Sequence, residues 1–223
     1  MSNKKKKKPQ HSPQHEEVLQ KHALEQEEVH EVVVFFKKYS KPAAIAFTAI
    51  CLVFVVSQVI KSQRIKKEIL ADAALMSAAT PEALQAIIDD YPSTPSAPIA
   101  LVQLAQIKFN SNKVDAAEKL YKEVLEKYKE HDVAIIAELG LIACREDKAL
   151  FGEAQQLYSA FTENHKNSYL APVAFIGEAR CLEALDQHKD AVIIYDNLIR
   201  EYPRTSWSSL AKTYKKVSEI KQK

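Results

Sequence analysis

The chain has 223 residues, only three of them glycine, with 47% hydrophobic and 27% charged residues and a formal charge of +2. That length holds one modest domain with appendages, and a composition rich in Ala, Leu, Ile, Lys and Glu favours helix over sheet. Charge is unevenly placed, at +3 over residues 1–41, zero over 42–60, +2 over 61–80 and −3 over 81–223. A mildly acidic main body argues against a nucleic-acid-binding face.

Residues 1–41 are expected to form a polybasic, largely disordered cytoplasmic tail. Lys4 to Lys8 are followed by Pro9, Ser12 and Pro13, a composition that buries little apolar surface. A topology signal beside an anchor explains this run more plainly than nuclear localisation or RNA binding. His15–Phe36 can form a helix with Val18, His22, Val29, Val33 and Phe36 near one face. His15-Glu16-Glu17-Val18-Leu19 begins like H-E-x-x-H, but Leu19 stands where the second histidine belongs, so no zinc pair forms. His11, His15, His22 and His30 therefore read as solvated.

Pro42–Ile60, PAAIAFTAICLVFVVSQVI, contains no charge. Nineteen helical residues span roughly 28 Å, close to the ~30 Å hydrocarbon core, so a transmembrane helix is expected. Pro42 is placed in its first turn, where a missing N–H costs nothing. Lys37, Lys38 and Lys41 before it and Lys61, Arg64, Lys66 and Lys67 after it can reach the headgroups. The long leading segment and the absence of an A-x-A-like site after Ile60 favour an anchor over a cleaved signal peptide. Local flanking charges are nearly balanced and do not orient the helix. The wider basic run at the start favours an N-terminus inside and a C-terminal domain outside.

Residues 61–80 form a juxtamembrane helix, in which Ile65–Ala79 either continues the membrane helix or forms its partner. From residue 81 onward the chain repeats itself every 37 residues. Ala100, Ala137 and Ala174 obey this spacing, as do Ala117, Ala154 and Ala191, and Tyr121, Tyr158 and Tyr195. Tyr91-Pro92 and Tyr202-Pro203 lie three periods apart, with Tyr128 and His165 between. Each period predicts two amphipathic helices, near 97–110, 132–145 and 170–185 for the first and 113–128, 151–164 and 189–202 for the second. Pro81–Tyr91 is a partial unit with Thr80 as N-cap. Trp207, Leu210, Tyr214, Val217 and Ile220 mark a final helix whose other face is Lys-rich, as a capping helix needs.

The Ala-x-x-x-Tyr elements, Leu139-Gly140 and Ile176-Gly177, and the terminal Tyr-Pro pairs resemble tetratricopeptide repeats over roughly residues 81–220. The period is three residues longer than the usual 34, and Ile99, Ile136 and Val173 replace the large aromatic early in the first helix. The fold class expected is all-α, a transmembrane helix followed by a short tetratricopeptide-like α-solenoid. With its anchor, the chain looks like the bacterial inner-membrane tetratricopeptide family that includes the ancillary subunit of the Sec translocon. That resemblance implies repeats in the periplasm, contacts with translocon subunits or periplasmic chaperones, and a scaffold role in translocation or envelope assembly. An adaptor or receptor with cytosolic repeats is the alternative.

No phosphate-binding glycine loop, nucleophile elbow or metal-ligand spacing is present, so no catalytic residue, cofactor or metal is expected. His131, His165 and His188 fall in turns, and carboxylates such as Glu118, four residues before Lys122, read as solvated helix surface. None of Cys51, Cys144 and Cys181 belongs to a C-x-x-C pair. Cys144 and Cys181 share a column with Ile107 and read as core fillers. In the registers this pattern allows, Val102, Gln106, Phe109, Leu139, Ala143, Ile176 and Arg180 approach the concave, partner-binding side. The same positions equally suit the core between helices.

Overall fold

The computed structural model describes residues 13–221, which among themselves form nine helices and no strand. Two units divide at Gln63/Arg64. The Lys4–Lys8 run lies outside the described residues.

The described residues of the first unit form a single helix, the leading part of α1 (Pro13–Ser77). His15–Phe36, expected to be able to form a helix, lies within α1. Pro42 is corrected: it lies inside α1 rather than in a first turn, leaving the Lys38 carbonyl without its usual donor four residues on. Val33–Ser77 is long and apolar enough to cross a membrane, and none of its most apolar stretch is buried. The hydroxyls of Thr48 and Ser57 donate to the carbonyls of Ile45 and Phe54, at 2.9 and 2.7 Å. Both are therefore satisfied without water.

The second unit is a stack of helix pairs. The end of α1 opens it: Ala71 is fully buried, and Ala74 and Leu75 pack against the first core cluster. Ile65–Ser77 thus continues α1. In α2 (Pro81–Asp90), Thr80 is the N-cap and accepts from the Ala83 amide at 3.2 Å, with Pro81 in the first turn, as expected. The pairs follow as α3 (Ser96–Asn110) with α4 (Val114–Lys127), α5 (Ala134–Asp147) with α6 (Phe151–Asn164), and α7 (Ala171–Ala184) with α8 (His188–Glu201). α9 (Ser206–Lys221) ends the stack.

The 37-residue period holds at the level of single hydrogen bonds. Asn112, Ala149 and Asp186 each adopt positive φ, at 59°, 58° and 63°. The next amide in each case returns to the carbonyl of Lys108, Arg145 or Leu182, at 2.9, 3.1 and 2.8 Å. This closure stops the first helix and turns the chain into the second. At the end of the second helices, Tyr128 and Tyr202 donate to the backbone carbonyls of Pro92 and Lys166, each 36 residues back. His165 takes the same column and meets Glu138 at 3.0 Å instead, its ring tilted against Phe161 with centroids 4.6 Å apart.

Alanines make the close approaches: Ala100, Ala137 and Ala174, and Ala117, Ala154 and Ala191, are fully buried. The Tyr121, Tyr158 and Tyr195 rings fill the space beside them. Cys144 and Cys181 are buried and unpaired, and burial raises their thiols to about 11 and about 12. That keeps them protonated and unreactive. Successive first helices α3, α5, α7 and α9 approach one another, whereas no second helix meets the next. The first helices therefore line the inner side of the stack.

Candidate interaction surface

Exposure along the first helices marks which residues a partner can reach. On α3, Gln103, Gln106 and Asn110 are exposed and Ile99 is half-buried, four residues on one face. One period on, Ile136, Ala143 and Asp147 occupy that face of α5; two periods on, Val173, Arg180 and Ala184 occupy it on α7, while Gly140 and the buried Gly177, in the Gln103 column, back onto the Tyr121 and Tyr158 rings. Extending the period once more reaches Leu210, Tyr214, Val217 and Lys221 of α9, the last three exposed. The face runs from carboxamides at its N-terminal end to apolar side chains at its C-terminal end.

Against this map the expected groove residues divide. Gln106 and Arg180 are exposed and Ala143 is half-buried, while the half-buried Phe109 and Leu139 pack against core clusters. Val102 and Ile176 are corrected: each is only 5% exposed and belongs to the core clusters. They sit one position from the exposed line on a helix turning about 100° per residue, which rotates them toward the second helices. Gln103, Asn110, Tyr214 and Val217 are exposed on these columns and were not among the expected residues. Carrying the spacing of Gln106, Ala143 and Arg180 into the final helix would have found Val217.

Arg180 is not a free cation. Its Nε and Nη2 donate to Glu146 Oε1 and Oε2 at 2.6 and 2.7 Å, and the buried Tyr158 hydroxyl donates to the same carboxylate at 2.8 Å. The paired carboxylate holds the guanidinium charged, and burial pushes the Tyr158 phenol well above its ordinary range. At the next junction Tyr195 and Ser218 donate to Glu183. In the first full repeat Phe109 occupies that acceptor column. Burial raises the Tyr121 phenol to about 12.

Glu118 is also corrected. It is 7% exposed rather than solvated, and Lys148, Lys122 and Arg145 surround it at 2.5, 2.6 and 3.3 Å. Hydrogen bonds from Lys122 and Lys148, outweighing burial, hold its carboxyl at about 2. The turn histidines likewise make local contacts: His131 accepts from the Val133 amide, and His188 faces Asp186 at 3.2 Å.

A second concavity of about 220 Å³ lies between α6 and α8 over α7, with Glu163, Glu178 and Glu201 among its walls and Phe175 in its floor. Glu178 is 3% exposed and accepts from Gln155 at 2.9 Å. Burial, and then Glu163, raise its carboxyl above the usual range against the hydrogen bonds from Gln155 and Ser159. Among the described residues no cluster of His, Cys, Asp and Glu has a geometry to hold a metal ion.

Comparison with known families agrees with this geometry. A family model for the tetratricopeptide repeat-like domain matches residues 34–176, and one for the tetratricopeptide repeat matches residues 174–205. No curated protein matches the chain.

Proposed function

The chain belongs to the tetratricopeptide repeat-like domain family, and from that premise we propose a membrane-anchored scaffold that presents its repeats to the periplasm for protein partners. Repeats of this kind are in general protein-interaction modules rather than enzymes. The observation that carries the anchoring is the apolar part of α1, whose side chains from Ile45 to Ile60 have no protein surface covering them. A row of that length is stable where lipid takes the place of water. The family model's matched range, 34–176, covers this apolar segment as well as much of the repeat region.

Orientation is supported by Lys4–Lys8, which translocate with difficulty, while a folded domain on the far side crosses largely regardless of its charge. The inner face of the first helices is the surface offered to partners, through Gln103, Gln106 and Asn110 of α3 and Asp147 of α5. A scaffold of this kind suits translocon subunits, periplasmic chaperones or envelope-assembly factors. Two measurements test it together. A C-terminal tag is probed with protease from each side of the membrane, and photo-crosslinkers at Gln106 and Asp147 are used to identify neighbours. Digestion only from the periplasmic side, with translocon or chaperone adducts, is expected. Protection of the repeats in cells with a permeabilised outer membrane would defeat this orientation and favour the cytosol-facing adaptor.

A further inference from the structure

Charge within the repeat unit is segregated: residues 81–202 carry −8 and residues 203–223 carry +5. The basic groups thus gather on α9 and its approach. Capping accounts for part of this helix. Phe175, Ile176, Ala179 and Leu182 of α7 share a cluster with Ala191, Tyr195 and Leu198 of α8. One period on, their columns hold Lys212, Thr213, Lys216 and Glu219. These polar residues stand where a further second helix would pack, and they close the stack. Tyr214, Val217 and Ile220 fall outside that set, yet they are 39%, 48% and 72% exposed. A helix needed only as a cap has no use for an apolar row open to water.

We propose that α9 is a docking surface for an anionic lipid bilayer. Val217, Ile220 and Tyr214 enter the boundary between headgroups and acyl chains. Lys212, Lys216 and Lys221, all exposed, meet the lipid phosphates alongside them. Lys215 is committed elsewhere, to Asp196 at 2.7 Å, and holds α9 on α8. The occupant follows from charge: a bilayer bearing negative headgroups attracts the +5 segment and repels the −8 body, so the field turns α9 toward it. The proposal rests on the anchoring above only for the presence of a bilayer nearby.

The test uses the full chain with Cys51→Ser and Ile220→Cys, the new thiol carrying an environment-sensitive fluorophore. The buried Cys144 and Cys181 are shielded from the label. The protein is reconstituted into phosphatidylcholine vesicles with or without phosphatidylglycerol. A blue shift and loss of iodide quenching are expected only in the anionic vesicles. Both should disappear at high salt and in the triple variant Lys212→Glu, Lys216→Glu, Lys221→Glu. Emission that is the same in both vesicle types, or that ignores charge reversal, overturns the proposal. A shift produced by polyglutamate and not by phosphatidylglycerol assigns the surface to an acidic polypeptide and also overturns it. Release of the chain by alkaline carbonate is a separate readout that counts against anchoring. The same probe then reports on preformed vesicles, so the two failures remain distinct.

Discussion

The ring of Tyr158 fills the space that a side chain on Gly177 would need. A Cβ built on Gly177 stands 2.4 Å from Tyr158 Cζ, and one on Gly140 stands 2.4 Å from Tyr121 Cζ. The aromatic column and the glycine column are therefore one device, a buried ring laid against bare backbone of the next first helix. Where the ring is absent the glycine is too: one period before Tyr121 and Gly140 stand Leu84 and Gln103. At the far end Tyr214 takes the glycine column and meets Tyr195 at 6.0 Å between ring centroids.

Gly177→Ala and Gly140→Ala are accordingly expected to destabilise the repeats by about 1–3 kcal/mol through overpacking. Gly152→Ala is the control, because nothing lies within 4 Å of its added Cβ. It should be neutral or stabilising by up to about 1 kcal/mol from helix propensity. Urea unfolding midpoints check both, and combining Gly177→Ala with Tyr158→Leu should recover part of the loss.

Ala149 holds φ at 58° in the turn between α5 and α6, where its Cβ crowds the following carbonyl. Ala149→Gly is expected to raise stability by roughly 1 kcal/mol. Asn112→Gly should change it less, since asparagine tolerates this region. Thermal unfolding of the two variants side by side decides the point.

Two carboxylates give opposite responses to pH. The folded value of Glu118, about 2, lies below its ordinary 4.5. Its contribution is therefore present above pH 4.5 and lost as pH falls toward about 2. Glu178 is raised, so it favours the folded state at low pH and loses that contribution as pH rises through its elevated value. Glu118→Gln should cost about 1–3 kcal/mol at neutral pH and flatten the acid limb. Glu178→Gln should stabilise at neutral pH by about 1 kcal/mol. Urea midpoints from pH about 3 to about 8 read both signs.

Residues of the inner face and of the core should separate under substitution. Val102→Asp and Ile176→Asp are expected to unfold the repeat unit, because each places a charge where only 5% of the residue is exposed. Gln106→Arg and Asp147→Arg should leave the melting temperature within a few degrees, as surface changes do. They should instead weaken crosslinking to the partners. Melting curves and crosslink yields measured on the same preparations give the comparison.

Much of the architecture could be read directly from the order of residues. Ala117, Ala154 and Ala191, with the tyrosines one turn later, announce the period, and the period places the helices to within about two residues, because close packing demands a small residue at the same site in every unit. Thr80-Pro81 marks the start of α2 through local hydrogen bonding alone. The first-helix faces were less open to such reading. Those helices are covered on several sides, so apolar residues surround them, and Val102 and Ile176 are indistinguishable by type from a groove lining. Burial of Glu118 was likewise hidden, since Lys148 and Arg145 reach it from the next unit and only stacking brings them together. What the sequence determined by itself is the local and repeating part: helices, caps, turns and the charge-free span. The tertiary structure alone decided which carboxylates are buried, which cations are already paired and which face remains open, because those depend on distances between units that no spacing along the chain records.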